Sequence, residues 1–218
     1  MKERYFTFET IDEKSRAMID ELPETRPELM FEPAAAALLV LDMQRYFLEE
    51  GSHAWIPSAA PIVERIAALA AAFNRANRPV FFTRHLNTSD NASMMSEWWC
   101  DLISEEDARS RIVDGLADDS ANIIHKSQYD AFHATDLEER LRSRGVTQVV
   151  VTGVMTHLCC ETTARSAFMR GFAVFFPVDG TATYNERFHR ASLLNLSHGF
   201  AVPVLVRDLI ASFEGDEA

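Results

Sequence analysis

The sequence predicts an α/β fold, a three-layer α/β/α sandwich around a central, largely parallel six-stranded sheet. Three observations carry that prediction. Short apolar runs recur along the chain at residues 36–41, 80–83, 122–124, 148–152, 172–178 and 202–206. Amphipathic stretches of helical period lie between them. With 47% hydrophobic residues in 218, the chain can bury the core of one substantial domain. Strands separated by helices imply right-handed crossovers and a sheet covered on both faces.

The elements follow in order. Residues 1–33 stand apart as an N-terminal arm, packed on the domain or on a neighbouring subunit. Its residues 11–22 show helical spacing (Ile11, Met18, Ile19, Leu22), and Pro23, Pro27 and Pro33 then interrupt any helix. The domain proper spans 34–218. Residues 61–77 place Ile62, Ile66, Leu69, Ala70 and Phe73 on one helical face, with Pro61 suited to the first turn. Residues 135–144 open with Thr135 and Glu138 at capping-box spacing and close at Gly145. Further helices are expected over 161–170, closed by Gly171, and over 185–199. The longer connections, 47–58 and 89–107, are loops. The second holds Met94, Met95, Trp98 and Trp99, which form either a pocket wall or lid, or a subunit contact or satellite core.

Composition excludes several classes of function. The net charge of −12 disfavours nucleic acid and anionic membranes as partners. No window approaches the roughly 20 apolar residues of a membrane span. Met1 to Tyr5 carries an acid and lacks the apolar stretch of a signal peptide. Cys100, Cys159 and Cys160 cannot all pair and two are adjacent, so no disulfide framework is implied and a reducing cytoplasm is expected.

Ligands of open parallel sheets bind outside the carboxyl ends of the strands, and three residues with chemical potential fall there. Asp42 follows the first run, Lys126 the third, and Cys159 the fourth after a short turn. Singly, Asp42 reads as a helix cap, Lys126 as a solvated strand end and Cys159 as a filler thiol. Together they form a base, cation and nucleophile set. A thiol where a strand turns into a helix also meets the positive end of the helix dipole, which lowers its pKa. Gln44 can orient groups by hydrogen bonds. Phe47 either stacks on a planar substrate or packs in the core. Arg84 and His85 are either pocket groups for a substrate carboxylate or carbonyl, or a salt bridge at a strand end. Adjacent cysteines at a helix start lack metal-ligand spacing, so neither a metal nor another cofactor is expected. Cys160 reads as a structural thiol.

Three motifs carry a family resemblance: Leu38-Leu39-Val40-Leu41-Asp42-Met43-Gln44-Arg45-Tyr46-Phe47, then Lys126-Ser127-Gln128-Tyr129-Asp130-Ala131-Phe132, then the run from Thr152 to Ala167 around Cys159. In order, spacing and strand context the chain resembles the isochorismatase-like superfamily, or cysteine hydrolases, over residues 34–209. The resemblance implies an Asp42–Lys126–Cys159 triad. It also implies a cis peptide between Val154 and Met155, with the Met155 and Cys159 amides as the oxyanion hole. Tyr129, in the second motif, joins Gln44, Phe47, Arg84, His85, Trp98 and Trp99 as a substrate-binding candidate. A homo-oligomer, dimer or tetramer, is also implied, with a small molecule as substrate. Isochorismatases are similar in the Asp-Met-Gln-x-Tyr-Phe run and at Phe31-Glu32-Pro33. They differ at Cys159, at His85 and at Met155. Nicotinamidases are similar in carrying the thiol but differ in strand two, where Thr83-Arg84-His85 replaces their Asp-x-His metal-binding run. The expectation is therefore metal-independent, thiol-dependent hydrolysis of a C–N bond in a small amide, ureide or carbamoyl substrate. The alternative is vinyl-ether hydrolysis by Asp42 and Lys126 without the thiol.

Overall fold

A computed structural model of the chain describes residues 1–23, 29–99, 101–117 and 121–214. Pro27 and Cys100 lie outside the described residues. The chain runs α1 (Ile11–Asp20), β1 (Ala36–Leu41), α2 (Arg45–Leu48), α3 (Ala60–Arg75), β2 (Val80–His85), α4 (Met94–Trp98), β3 (Asn122–Lys126) and α5 (Leu137–Arg142). It continues through β4 (Gln148–Val154), a π turn (Thr156–Cys160), α6 (Glu161–Met169), β5 (Ala173–Pro177), β6 (Thr181–Ala182), α7 (Glu186–Gly199), β7 (Val202–Val204) and α8 (Val206–Glu214). The sheet order is β3-β2-β1-β4-β5-β7, with β6 beside β4, and every pairing between these strands is parallel.

All six predicted runs are strands, and a two-residue seventh, too short to leave an apolar run, is added by β6. Three strands go further than their apolar runs. β2 continues through Arg84 and His85, β3 through His125 and Lys126, and β4 through Gly153 and Val154. The polar ends stay in the ladder because they pair with each other, His85 opposite Lys126 and Leu41 opposite Gly153. The last strand ends early, and α8 begins at Val206 on a backbone bond from Val206 N to the buried Asp179 carboxylate. The capping box does not form. Asp136 is the cap residue of α5, and the Thr135 hydroxyl instead donates to Ala131 O at 2.6 Å and accepts from Leu137 N at 3.4 Å.

α3 packs with α8 against one face of the sheet, while α6 and α7 pack together on the other. β1 is buried at every position because it lies mid-sheet between these layers, which is why it reads as an unbroken apolar run. The N-terminal segment joins the same core. Tyr5, Phe6, Ile11 and Met18 are buried in it, and Ser58 Oγ accepts from the Tyr5 and Phe6 amides at 2.8 and 3.2 Å. None of the described helices is long and apolar enough to cross a membrane.

One glycine is required by close approach. Gly153 has φ +106°, and a Cβ there would sit 2.1 Å from Leu41 O. β4 thus lies against β1 immediately before both chains turn out of the sheet. Gly153→Ala meets a forbidden backbone region and a backbone clash at once, and should destabilise the fold by at least about 3 kcal/mol. Denaturant unfolding followed by circular dichroism measures the loss.

Candidate active site

Four strand ends converge on one ammonium group. Lys126, the last residue of β3, is buried, and its Nζ lies 2.8 Å from Asp42 Oδ2, 3.3 Å from Cys159 Sγ and 2.9 Å from Gln128 O. Its fourth neighbour is His85 Nδ1, at 3.4 Å from the end of β2. Asp42 follows β1 in a left-handed conformation, φ +51°. Thr83 fixes it there: its hydroxyl accepts from the Asp42 amide at 3.0 Å and donates to Asp42 Oδ1 at 2.5 Å. The other oxygen, Oδ2, meets Lys126 as an ionic contact without a directed hydrogen bond. It therefore keeps a lone pair for a further proton.

The electrostatics follow from this packing. Burial opposes the charge on Asp42, but the Lys126 ammonium beside it outweighs this and holds the carboxyl below its usual range. Burial likewise opposes the charge on Lys126, and the Asp42 carboxylate at 2.8 Å reverses this, holding its pKa above lysine's usual value. Burial and then the Asp42 carboxylate push the Cys159 thiol up to about 12, against the pull of Lys126. This corrects the expectation of a lowered thiol pKa. Asp42 and Lys126 already form a neutral pair in a dry site, and a thiolate would leave it with uncompensated negative charge. The resting site holds a thiol beside a carboxylate. His85 is lowered to about 4 by burial and then by Lys126, so its ring is neutral. With Nδ1 facing the ammonium, the proton belongs on Nε2, which lies 2.8 Å from Asn87 Oδ1.

The turn after β4 carries the sulfur. Val154–Met155 is a cis peptide, as the resemblance implies, and the chain then enters the π turn rather than starting α6 directly. Cys159 therefore sits in the last part of that turn, two residues before α6 begins. Its neighbour Cys160 is fully buried with Sγ 3.8 Å from Thr152 O, in the packed position the sequence suggested. His157 turns away, its Nδ1 2.6 Å from Thr183 Oγ1 and its ring stacked on Phe188.

Cys159 and Met155 open onto a cavity whose wall is mostly aromatic and aliphatic, including Phe47, Trp99, Tyr129 and Tyr184. His85 and Asn87 also reach it. The Trp99 indole donates to Tyr129 Oη at 2.8 Å, which fixes both rings. Three expected binding residues are placed elsewhere. Gln44 is buried, donates to His85 O and Ser110 O, and accepts from the His85 amide at 2.8 Å; it ties strand ends together. Arg84 donates to Ser110 O and Oγ, because successive side chains of a strand point to opposite sides and His85 takes the cavity side. Trp98 is 74% exposed, since the chain leaves α4 in an extended conformation at Trp99 and the two indoles diverge.

Several residues at the site were not singled out from the sequence. Thr83 had a signal, lying two residues before His85 on the same side of β2. Tyr46 stands in the first motif and on α2, whereas Asn87, His53, Asp101 and Tyr184 had no signal, because loops bring them to the cavity. An oxygen of Asp42, a ring nitrogen of His85 and Cys159 Sγ lie within 4.8 Å of one another, a possible metal-ligand set. These residues do not fit a metal, because the Lys126 ammonium already contacts the ligand atoms of all three.

Comparison with known proteins agrees with this geometry. Residues 36–208 match the model of the isochorismatase domain. The chain is 44% identical over 171 residues to nicotinamidase 3 of Arabidopsis thaliana, covering 76% of this chain and 82% of that protein. It is 30% identical over 193 residues to enterobactin synthase component B of Escherichia coli, covering 87% and 67%. A crystal structure of a cysteine hydrolase from Pseudomonas syringae superposes with a TM-score of 0.82 at 27% identity, over 89% of this chain and 99% of that one.

The His85 assignment has a direct check. Its imidazole should stay neutral, with the proton on Nε2, until the pH falls to about 4. Nitrogen-15 chemical shifts of the ring across pH 3.5–8 measure this, and a midpoint near the ordinary 6.5 would refute it.

Proposed function

The chain belongs to the isochorismatase family of hydrolases, and we propose that it hydrolyses the C–N bond of a small, planar carboxamide through an acyl-enzyme on Cys159. The observation that carries this reading is Cys159 Sγ in the wall of an aromatic cavity, with Lys126 at 3.3 Å and Asp42 within 4.8 Å. The similarity to a protein named nicotinamidase supports an aromatic amide of nicotinamide's size.

The chemistry proceeds in balanced proton steps. Asp42 Oδ2 takes the thiol proton as Sγ attacks the carbonyl carbon. The carbonyl oxygen becomes an oxyanion, held by the backbone amides of Met155 and Cys159, whose turn the cis peptide shapes. The intermediate collapses as the protonated Asp42 gives its proton to the leaving nitrogen, and ammonia departs from a thioester. A water, deprotonated by Asp42, attacks the thioester. Collapse passes that proton from Asp42 to the sulfur and returns the thiol, and the product acid loses its own proton to solvent and leaves as the carboxylate. Lys126 keeps Asp42 ionised between steps and faces the sulfur while it carries negative charge. Asp42 is ionised at neutral pH and free to take a proton, but its lowered pKa makes it a weak base for a raised thiol, so the proton transfer needs substrate in place rather than a preformed thiolate.

The vinyl-ether alternative fits the cavity less well. Isochorismate is a dicarboxylate, and among the described residues no lysine or arginine lines this cavity. Arg84, the sequence candidate for a carboxylate partner, is turned to Ser110. Free thiols at Cys159 and Cys160 accord with a reducing compartment.

Cys159→Ala and Cys159→Ser should each lower ammonia release from nicotinamide by roughly 10³-fold or more, with the circular dichroism spectrum unchanged. A wild-type rate in either variant would remove the thiol from the mechanism. Pyruvate release from isochorismate that survives iodoacetamide treatment would establish the ether reaction instead.

A further inference from the structure

The cavity holds a second polar group that the triad chemistry leaves unused. Tyr46 Oη donates to Asp101 Oδ2 at 3.1 Å. His53 Nδ1 lies 3.1 Å from Tyr46 Oη and 3.3 Å from the same carboxylate oxygen. All three residues line the cavity, and all come from the connections after β1 and α4 rather than from strand ends. Their mutual bonds fix the carboxylate in the wall although it is about half exposed.

The charges around this group are one-sided. Asp101 is the one carboxylate among the described residues lining the cavity, and no ammonium or guanidinium lines it. The nearby cations stand outside the lining. Arg109 lies over the Tyr46 ring at 5.2 Å and is paired with Asp107 at 2.7 Å. Lys2 lies over the Tyr184 ring at 4.8 Å and donates to His53 O. A substrate in the cavity thus meets one lining carboxylate, with the His53 imidazole as its nearest basic neighbour at 3.3 Å, while the Lys126 ammonium behind Cys159 is already paired with Asp42. The wall is otherwise apolar, which raises the effect of that charge above its value in water.

We propose that Asp101, held by Tyr46 and His53, sets the charge selectivity of this cavity, admitting neutral and cationic carboxamides and turning away anionic ones, the carboxylate product included. The proposal rests on the amide-hydrolase reading and extends it to the class of substrate. Product release gains from the same charge: hydrolysis converts a neutral amide into an anion, which Asp101 then disfavours. A unit charge a few ångströms from a half-exposed carboxylate is worth about tenfold in affinity.

The test compares kcat/KM of the full-length protein for three aromatic amides of one size: nicotinamide, its N-methylpyridinium ion and 3-carboxybenzamide. Wild type should favour the cation over the anion by about 100-fold, the tenfold effect acting once in each direction. Asp101→Asn should narrow that ratio at least about tenfold and tighten inhibition by nicotinate, while Asp101→Glu, which keeps the charge, should hold the ratio. A residue with only a structural role would lower all three rates together and leave the ratio fixed. An unchanged ratio in a folded Asp101→Asn protein overturns the proposal. Absence of ammonia release from all three amides in wild type would instead refute the amide-hydrolase reading. Calorimetric affinities for benzamide, N-methylpyridinium and benzoate then read the same charge ratio without turnover.

Discussion

The rim of the sheet is organised around a buried ion pair. Lys126 and Asp42 meet at 2.8 Å with both side chains fully buried, a situation in which losing one partner costs roughly 3–5 kcal/mol because the other is left charged in a dry site. The lysine also touches the end of β2 through His85 and the turn after β4 through Cys159. Four chain segments must arrive in register for that cation to be satisfied. The in-register pairing of His85 with Lys126 and of Leu41 with Gly153 is therefore an electrostatic requirement as well as a backbone one. Thr83 and Gln44 serve the same end by tying the ends of β1 and β2 together, Thr83 on β2 to Asp42 and Gln44 after β1 to His85.

The pair also decides where the thiol proton rests. A carboxylate and an ammonium in contact make a neutral unit, and the sulfur beside them stays protonated because ionising it would break that neutrality. In the amide hydrolysis proposed above, the nucleophile is created only when a carbonyl is present to receive the electrons. A cysteine kept as a buried thiol is a poor target for oxidants and metals, which react with the thiolate. Helix-dipole activation, the reason for expecting a low pKa from the sequence, loses to burial here, since the sulfur lies in the π turn ahead of α6 and faces a carboxylate.

Much of the architecture was legible because a buried parallel sheet writes itself as apolar runs. β1 and the first part of β4 are continuous hydrophobic segments, and the helices between strands keep a clean period. The strand ends were less legible, since residues such as Arg84, His85 and His125 look like loop but remain in the ladder to meet partners on adjacent strands. Asp42 and Lys126 follow the ends of apolar runs and Cys159 stands in the turn after another, so their convergence could be read from topology. The cavity wall could not. Asp101 and His53 come from irregular connections whose path no local pattern encodes, and the divergence of Trp98 from Trp99 depends on how α4 ends. Placing Arg84 and His85 together in the pocket overlooked the alternation of a strand, which separates them.

The cavity is built from two sources with different freedom to change. Its floor belongs to the sheet, where a methyl group at Gly153 already collides with Leu41. Part of its wall rests on the first residues of the chain: the Glu3 amide donates to Tyr184 O, and Lys2 bonds His53 O while covering the Tyr184 ring. Mutations in that terminal segment can reshape the pocket without disturbing a single catalytic strand. Substitutions there can change which molecules fit the cavity while the Asp42–Lys126–Cys159 cluster stays in place.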